Sequence, residues 1–315
     1  MRLHIVMYHY VRDLMLSRYP AIKGLDVALF RQQLDFLNQN FTIVRMEDVL
    51  SAIAGASTIP KNAVLLTFDD GYIDHYNVVF PVLDKLGIQG SFFPPSIILE
   101  NKMLLDVHKI HFILATGQYN LIYKRLLKEI EFYEWGSIDT QALINEYAVP
   151  NRFDGGEVVF IKRILQHVLP KRLRSLIIDK LFDKFVGVDE AVFAKELYCD
   201  TAHLVTMKKH GMFIGLHGYA HGWLGNMNYE EYTQDINNSL NYMDSEKLID
   251  KNSWVIAYPY GTYNDGVLEC IRGQNCALGL TTEVRVADLK TDGRFLLPRL
   301  DANDFPPKSS EYKKY

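Results

Sequence analysis

The sequence predicts an α/β fold, a distorted (β/α) barrel of seven or eight strands with a helical insertion. Short apolar runs alternate with helix-patterned segments over residues 1–98 and 198–305, and this alternation is typical of parallel sheets. The number of these runs favours a closed or nearly closed barrel. Residues 99–197 instead show helical spacing with few strand signals, which predicts the insertion.

The alternation of predicted strands and helices is clearest in residues 1–98. The predicted strands there are residues 3–8, 41–44, 64–68 and 90–93. Asp26 is placed to cap an amphipathic helix, a short helix passes through Val49, and a helix from His75 ends at Gly87.

Residues 198–305 repeat the alternation of predicted strands and helices. They have predicted strands near Phe213, Val255, Ala277 and Phe295, and predicted helices near residues 229–243 and 265–272. Residues 306–315 are polar and basic, which predicts a flexible tail.

The insertion over residues 99–197 falls between sequence segments that carry polar motifs, so we expect it beside the active site. Ile161, Ile164 and Leu165 illustrate its helical spacing. It could serve as structural packing, or as a lid or wall that selects the substrate. Both interpretations stay open at this stage.

Two adjacent carboxylates, Asp69 and Asp70, stand where the predicted strand at 64–68 ends, and Gly71 then permits a sharp turn. Because side chains alternate along a strand, one carboxylate could bind a metal while the other acts as a base. Asp-Asp-Gly is also typical of a plain turn in which aspartates cap backbone N–H groups.

A second cluster, Gly215 to His221, also follows an apolar run. His217 and His221 are four residues apart, a common way to present two imidazoles to one metal ion. Paired histidines also occur on solvated helix faces. Together with a carboxylate, however, they form the ligand set of an open catalytic Zn²⁺ or Fe²⁺ site.

A third apolar run ends at Tyr258-Pro259-Tyr260-Gly261. Three strand ends that carry polar groups predict one functional rim of a barrel or sheet. The two tyrosine rings could stack against a substrate or simply pack in the core.

The segments Thr67–Gly71, His217–His221 and Tyr258–Gly261 resemble the central motifs of the polysaccharide deacetylase family, carbohydrate esterase family 4. The resemblance covers both ends of the chain and leaves the middle unaccounted for. It implies a metal-dependent hydrolase that removes an N-acetyl group from a glycan-, lipid- or nucleotide-linked amino sugar.

The resemblance also implies residue roles. Asp69 is the base, and Asp70, His217 and His221 bind one divalent ion, with Zn²⁺ the favoured metal. The backbone N–H of Tyr260 contributes to stabilising the oxyanion.

The chain departs from the family pattern at three places. Gly218 stands where the family usually has Ser or Thr, and Ala257 where it often has Arg. Residues 295–301 lack the histidine that usually supplies the catalytic acid.

The N-terminal segment His4–Val11 resembles the opening of a permuted branch of the family that includes poly-N-acetylglucosamine deacetylases. This predicts His9 as the acid and Arg299 as the charge that steadies Asp69. Alternatively, His9 is a neutral core histidine and Arg299 a surface ion-pair partner.

Two other function classes remain open. The same scaffold could act as an O-acetyl esterase or a non-sugar amidase. It could also be a non-catalytic sugar-binding protein that retains its metal, which the missing tail histidine and Ala257 favour and Asp69 opposes.

Composition agrees with a soluble enzyme. A net charge of −4 argues against broad nucleic-acid binding, and three cysteines without metal-type pairing argue against a disulfide framework. We expect no transmembrane segment and, because the N-terminus already reads as a strand, a cytoplasmic location. The expected partner is an acetylated amino-sugar substrate, and the sequence does not predict an oligomeric state.

Overall fold

The computed structural model of the chain describes residues 1–133, 139–151 and 154–315; residues 134–138 and 152–153 of the predicted insertion lie outside the described part. The chain divides into two units. The first unit comprises Met1–Asp13, Gly24–Met103 and Ala194–Tyr315, and the second comprises Leu14–Lys23 and Leu104–Phe193.

The strands of the described residues all lie in the first unit. They are β1 Arg2–Tyr8, β2 Val11–Arg12, β3 Leu25–Asp26, β4 Thr42–Ile43, β5 Ala63–Asp69, β6 Ser91–Phe93, β7 Phe213–Ile214, β8 Trp254–Ala257, β9 Cys276–Leu280, β10 Ala287–Asp288 and β11 Leu300–Asp301.

The α-helices alternate with these strands at both ends of the chain and fill its middle. They are α1 Val27–Asn40, α2 Met46–Ile53, α3 Phe80–Leu86, α4 Ser96–Glu100, α5 Asp106–Ala115, α6 Tyr119–Phe132, α7 Thr140–Tyr147, α8 Gly156–Arg163, α9 Lys171–Phe185, α10 Glu190–Leu197, α11 Thr201–Lys209, α12 Tyr229–Ser245 and α13 Asp265–Gly273.

Strand β5 forms the centre of the main sheet, and every one of its residues is buried. It pairs in parallel with β1 on one side and with β4 and β6 on the other. Because neighbours cover both edges and both faces, this strand must be apolar until it reaches the carboxyl edge. Its polar residues accordingly come at its end, at Thr67 and Asp69.

The pairing continues away from β5 in both directions. β6 pairs with β7, a single bridge joins Leu216 to Ile256 in β8, and β8 pairs with β9. A further bridge joins Leu280 in β9 to Leu297, and β11 pairs with β1. The antiparallel contact of β10 with β1 makes the sheet mixed. The α/β fold is therefore confirmed, whereas a closed barrel of seven or eight strands stays a prediction.

Alternate residues of four strands point into one apolar core. This buried cluster includes Leu3 and Ile5 of β1, Ala63 and Leu65 of β5, Val255 and Ala257 of β8, and Leu278 and Leu280 of β9. Side chains from the main sheet and from the β8–β9 pair thus share an interior, which fixes the strand ends relative to one another.

Helix α1 begins as the sequence predicts, with the Asp26 side chain accepting a hydrogen bond of 2.8 Å from the Ala28 N–H. Its buried face includes a polar residue, Gln33, whose Nε2 lies 2.8 Å from the carbonyl oxygen of Ala302 and 3.3 Å from those of Phe305 and Pro306. One amide therefore ties the helix to the segment that follows β11.

The regular secondary structure described in the second unit is helical, from α5 through α9 into the start of α10, and Leu14–Lys23 consists of turns and bends. Lys109 is buried at its centre and lies 2.6 Å from both Asp179 and Glu190. Most of the predicted insertion falls in this unit, and its role as a lid stays a prediction, as does the flexibility of residues 306–315.

Replacing Gln33 with alanine should lower the free energy of unfolding by about 1–3 kcal/mol, because buried carbonyl groups lose their donor. Chemical denaturation measures the change. Gln32→Ala, an exposed position on the same helix, should stay within about 0.5 kcal/mol of the parent protein. Equal effects of the two substitutions would contradict the assigned role of the Gln33 amide.

Candidate active site

Polar groups gather where β5, β7 and β8 end. Asp69 closes β5, His217 follows β7, and Tyr260 follows β8. Parallel strands bring their carboxyl ends to one edge, so three segments that are distant in sequence meet there. All of these residues belong to the first unit.

Asp70, His217 and His221 form a buried cluster whose candidate ligand atoms all lie within 4.8 Å of one another. The Asp70 Oδ1 atom lies 3.4 Å from His217 Nε2 and 3.2 Å from His221 Nε2. Both imidazole rings thus direct the same type of nitrogen toward one carboxylate oxygen. The structure brings together all three residues predicted as metal ligands.

A hydrogen bond orients the His217 ring. Its Nδ1 lies 2.6 Å from the carbonyl oxygen of Ala257, which accepts a hydrogen bond from the Nδ1–H. With the proton on Nδ1, the Nε2 lone pair is available to a cation, the usual arrangement for a histidine ligand. Ala257, noted as a departure from the family pattern, thus contributes to the site through its backbone.

Asp70 is held in turn by Tyr72, whose buried hydroxyl donates a 2.7 Å hydrogen bond to Asp70 Oδ2. The ring of Tyr72 stacks on that of Tyr10 with 3.9 Å between centroids. The Tyr72 hydroxyl thus occupies Oδ2 of Asp70, and Oδ1 is the oxygen that faces the histidines.

Three residues at the site have left-handed backbone angles: φ is 76° at Asp70, 53° at His221 and 56° at Tyr260. This conformation is costly for residues other than glycine and is characteristic of functional sites that the surrounding structure holds in place. The local backbone is therefore strained where the candidate ligands are presented.

Asp69 forms a two-pronged ion pair with Arg299. The distances are 2.8 Å from Nη1 to Oδ1 and 2.7 Å from Nη2 to Oδ2, and both side chains are almost fully buried. Burial raises the pKa of the Asp69 carboxyl, but the opposing effects, of which the charge of Arg299 is the largest, bring it below its usual value. Asp69 is therefore ionised at neutral pH, as a proton acceptor must be.

Arg299 is anchored on its other side by a 2.9 Å hydrogen bond from Nε to the carbonyl oxygen of Thr281. It is fully buried, so the alternative of a surface ion pair is wrong. The geometry gives Arg299 the contact that its predicted role requires.

His9 directly follows β1, and the register pairs Tyr8 with Phe68. His9 therefore stands beside Asp69 at the carboxyl edge, close enough for a positive charge on its ring to lower the pKa of that carboxyl. The buried ring of His75 donates from Nε2 to the His9 carbonyl oxygen at 2.9 Å. Burial lowers the pKa of His75 to about 4, so this ring is neutral at pH 7.

Tyr260 lies in the turn Pro259–Gly261, with its ring 4.8 Å from that of His221 in an edge-to-face arrangement. Trp223 stacks on the Tyr260 ring at 4.4 Å and is partly exposed. Tyr258 is fully buried and donates to the Phe295 carbonyl oxygen, so of the two tyrosines only Tyr260 borders the cluster.

The donor set fits a divalent cation. One carboxylate and two imidazoles, all buried and convergent, match the ligands of open Zn²⁺ sites. No other group of three or more such side chains converges within the described residues. The fold and this cluster define an α/β protein with a candidate hydrolytic metal centre.

The sequence did not single out Tyr72, Trp223 or the role of His75. Tyr72 lies two residues after Asp70, and this proximity is a usable signal. His75 and Trp223 act through contacts made only in the folded chain, and no spacing in the sequence distinguishes them from core residues.

Comparisons with known proteins show that part of this chain is similar to the polysaccharide deacetylases. Residues 187–277 match the polysaccharide deacetylase family model. Poly-β-1,6-N-acetyl-D-glucosamine N-deacetylase of Escherichia coli is 34% identical over 68 residues, 21% of this chain and 10% of that protein. The match thus spans about a tenth of the curated relative.

Solved structures share the fold over nearly the whole chain. Streptococcus pyogenes deacetylase PplD in complex with acetate has a TM-score of 0.62 at 20% identity, covering 100% of this chain and 97% of that one. IcaB from Ammonifex degensii has a TM-score of 0.59 at 18% identity, with the same coverage. A de-N-acetylase from Aggregatibacter actinomycetemcomitans has a TM-score of 0.56 at 16% identity, covering 95% and 94%.

The predicted resemblance is therefore confirmed: residues 187–277 match the polysaccharide deacetylase family model, and the chain resembles the poly-N-acetylglucosamine deacetylases. Among the described residues, no helix combines the length and apolar character needed to cross a bilayer.

Replacing His221 with alanine should reduce bound divalent metal from about one ion per chain to well below that value, because one of three candidate protein ligands is lost. Elemental analysis after dialysis measures the stoichiometry. His210→Ala removes an exposed histidine and should leave it unchanged. Full metal content in the His221 variant would overturn the ligand assignment.

Proposed function

We propose that this protein is a metal-dependent hydrolase that removes an N-acetyl group from an amino sugar. One observation carries the proposal. An ionised carboxylate, Asp69, is fixed by Arg299 directly beside the convergent Asp70, His217 and His221. A base held next to a ligand cluster is the arrangement that metal-assisted hydrolysis requires.

A divalent cation held by Asp70, His217 and His221, with Zn²⁺ our proposed ion, supplies Lewis acidity. The side chains and backbone of the protein supply the proton acceptor and the hydrogen bonds that the reaction needs. Asp69 accepts a proton from the water that attacks the acetamide carbon, and Arg299 keeps the carboxylate oriented and charged. The Tyr260 N–H is proposed to donate to the developing oxyanion.

Breaking the C–N bond requires a proton on the departing nitrogen, because a free amide anion is a very poor leaving group. His9, beside Asp69 at the same edge, is our proposed donor. The products are acetate and the free amine of the sugar. The contact of the His9 backbone with neutral His75 helps to fix where this residue stands.

The proposed substrate is an acetylated amino sugar, and the resemblance to a poly-β-1,6-N-acetyl-D-glucosamine deacetylase supports a polymer of that kind. The buried and fully paired Asp69 argues against a protein that binds sugar without turnover. We also retain the nearly closed barrel as a proposal, supported by the bridges Leu216–Ile256 and Leu280–Leu297. A cytoplasmic location stays a prediction from the sequence.

Replacing Asp69 with asparagine should lower kcat on N-acetylglucosamine oligomers by about 10²–10⁴-fold, because the amide cannot accept the proton from water. Release of acetate measures the rate, and metal content should be unchanged. Asp35→Asn, at an exposed carboxylate on α1, should keep the parent rate. Parent-like turnover by the Asp69 variant would make this carboxylate structural and sink the proposed mechanism.

Replacing His9 with alanine should slow amide cleavage far more than cleavage of an activated acetate ester, because only the amine needs a proton to leave. The test compares kcat/KM on both substrates. His4→Ala changes a histidine at the opposite end of β1 and should preserve the ratio of the two rates. Equal losses on both substrates in the His9 variant would mean that His9 positions the site and does not donate.

A further inference from the structure

The loop that joins the two histidine ligands, Gly218–Ala220, is bound by a carboxylate from a distant helix. Asp235 in α12 accepts hydrogen bonds from the N–H groups of Tyr219, at 2.7 Å to Oδ1, and Ala220, at 3.0 Å to Oδ2. Its side chain is largely buried. Charge-assisted bonds of this kind are stronger than those between neutral groups.

The carbonyl groups of the same loop are bound from another side. The N–H groups of Ser96 and Ile97, in the first turn of α4, donate to Gly218 and Tyr219 at 3.2 and 3.0 Å. Ser239, one turn after Asp235 on α12, lies 3.3 Å from the Gly218 carbonyl oxygen and 2.6 Å from the Ser96 hydroxyl. Both the donors and the acceptors of the loop are thus fixed.

Gly218 fits this arrangement and explains its departure from the family pattern. Its φ is +67°, and a Cβ atom there would lie 2.9 Å from Asp235 Oδ1. A serine or threonine would therefore be strained and would crowd the carboxylate. In this chain the oxygen that binds the loop comes from α12 and not from residue 218.

We propose that Asp235 is the positioning residue of the metal loop: it sets the separation of His217 and His221 and so tunes the affinity for the metal. The proposal rests on the metal site of the proposed function. His221 directly follows Ala220 and is held at φ 53°, a conformation that needs external support. Without Asp235, two N–H groups lose their acceptor, and the loop can relax away from this geometry.

The competing interpretation is that Asp235 only stabilises the packing of α12 on the loop. Two test variants, Asp235→Ala and Asp235→Asn, and two controls separate these interpretations. Asp244→Ala removes a more exposed carboxylate on the same helix, and Gln33→Ala weakens the fold elsewhere. Zn²⁺ affinity is measured by competition with a chromophoric chelator. The unfolding midpoint is measured on metal-free protein, and the visible spectrum of the Co²⁺-loaded protein reports the coordination geometry.

Asp235→Ala should weaken Zn²⁺ binding by on the order of 10–100-fold, the usual effect of removing a group that supports metal ligands. It should also change the Co²⁺ spectrum. Asp235→Asn should lose less affinity, since its amide oxygen still accepts one N–H. Gln33→Ala should lower the unfolding midpoint at unchanged affinity, and Asp244→Ala should change neither.

Parent-like affinity in Asp235→Ala, together with a lowered unfolding midpoint, would overturn the positioning role and leave the proposed function intact. Failure of the parent protein itself to bind Zn²⁺ would overturn both. If Asp235→Ala does not fold, Asp235→Asn decides the question, because parent-like affinity and an unchanged Co²⁺ spectrum in that variant would equally exclude the proposal.

Discussion

The ion pair between Asp69 and Arg299 is the constraint on which the rest of the site depends. It joins the end of the central strand β5 to the segment that precedes β11, and Arg299 also binds the carbonyl of Thr281 after β9. A buried pair of this kind contributes little net stability, since apolar residues of similar size often serve as well. Losing one partner, however, costs about 3–5 kcal/mol, because the other charge remains buried. The ion pair is better explained by the proposed chemistry, because it keeps the proposed base, Asp69, ionised inside the protein.

Around this pair, the site combines strained residues with rigid support. Asp70 and His221 have left-handed backbones, and each is adjacent to contacts that reach into the core, Tyr72 for the former and the Asp235-bound loop for the latter. Such strain persists only where the surroundings determine the conformation. The apolar core shared by β1, β5, β8 and β9 supplies that surrounding structure. Packing in the core of the first unit thus helps to hold the candidate ligands in place at the carboxyl edge of the sheet.

Sequence reasoning identified the residues that stand at strand ends, because an apolar run followed by polar residues is a local pattern. Asp69, Asp70, His217 and His221 were found in this way, and family resemblance added His9 and Arg299. Asp235 left no such pattern, since it binds backbone N–H groups, which every residue but proline possesses. The sequence predicts a closed or nearly closed barrel from the number of strands, but closure itself depends on single bridges between short strands, which local patterns do not specify. Pairing between distant segments is decided by packing and leaves little trace in local composition.

The position of β1 supports the proposal that the acid comes from the N-terminal segment, since residues 295–301 contain no histidine. β1 pairs in parallel with β5 on one side and with β11 on the other. It therefore lies between the strand that ends at Asp69 and the strand that Arg299 precedes. A residue that follows β1 must emerge at the same edge as one that ends β5, because the strands run in the same direction and are in register from Leu3 with Ala63 to Tyr8 with Phe68. His9 therefore reaches the rim by topology alone.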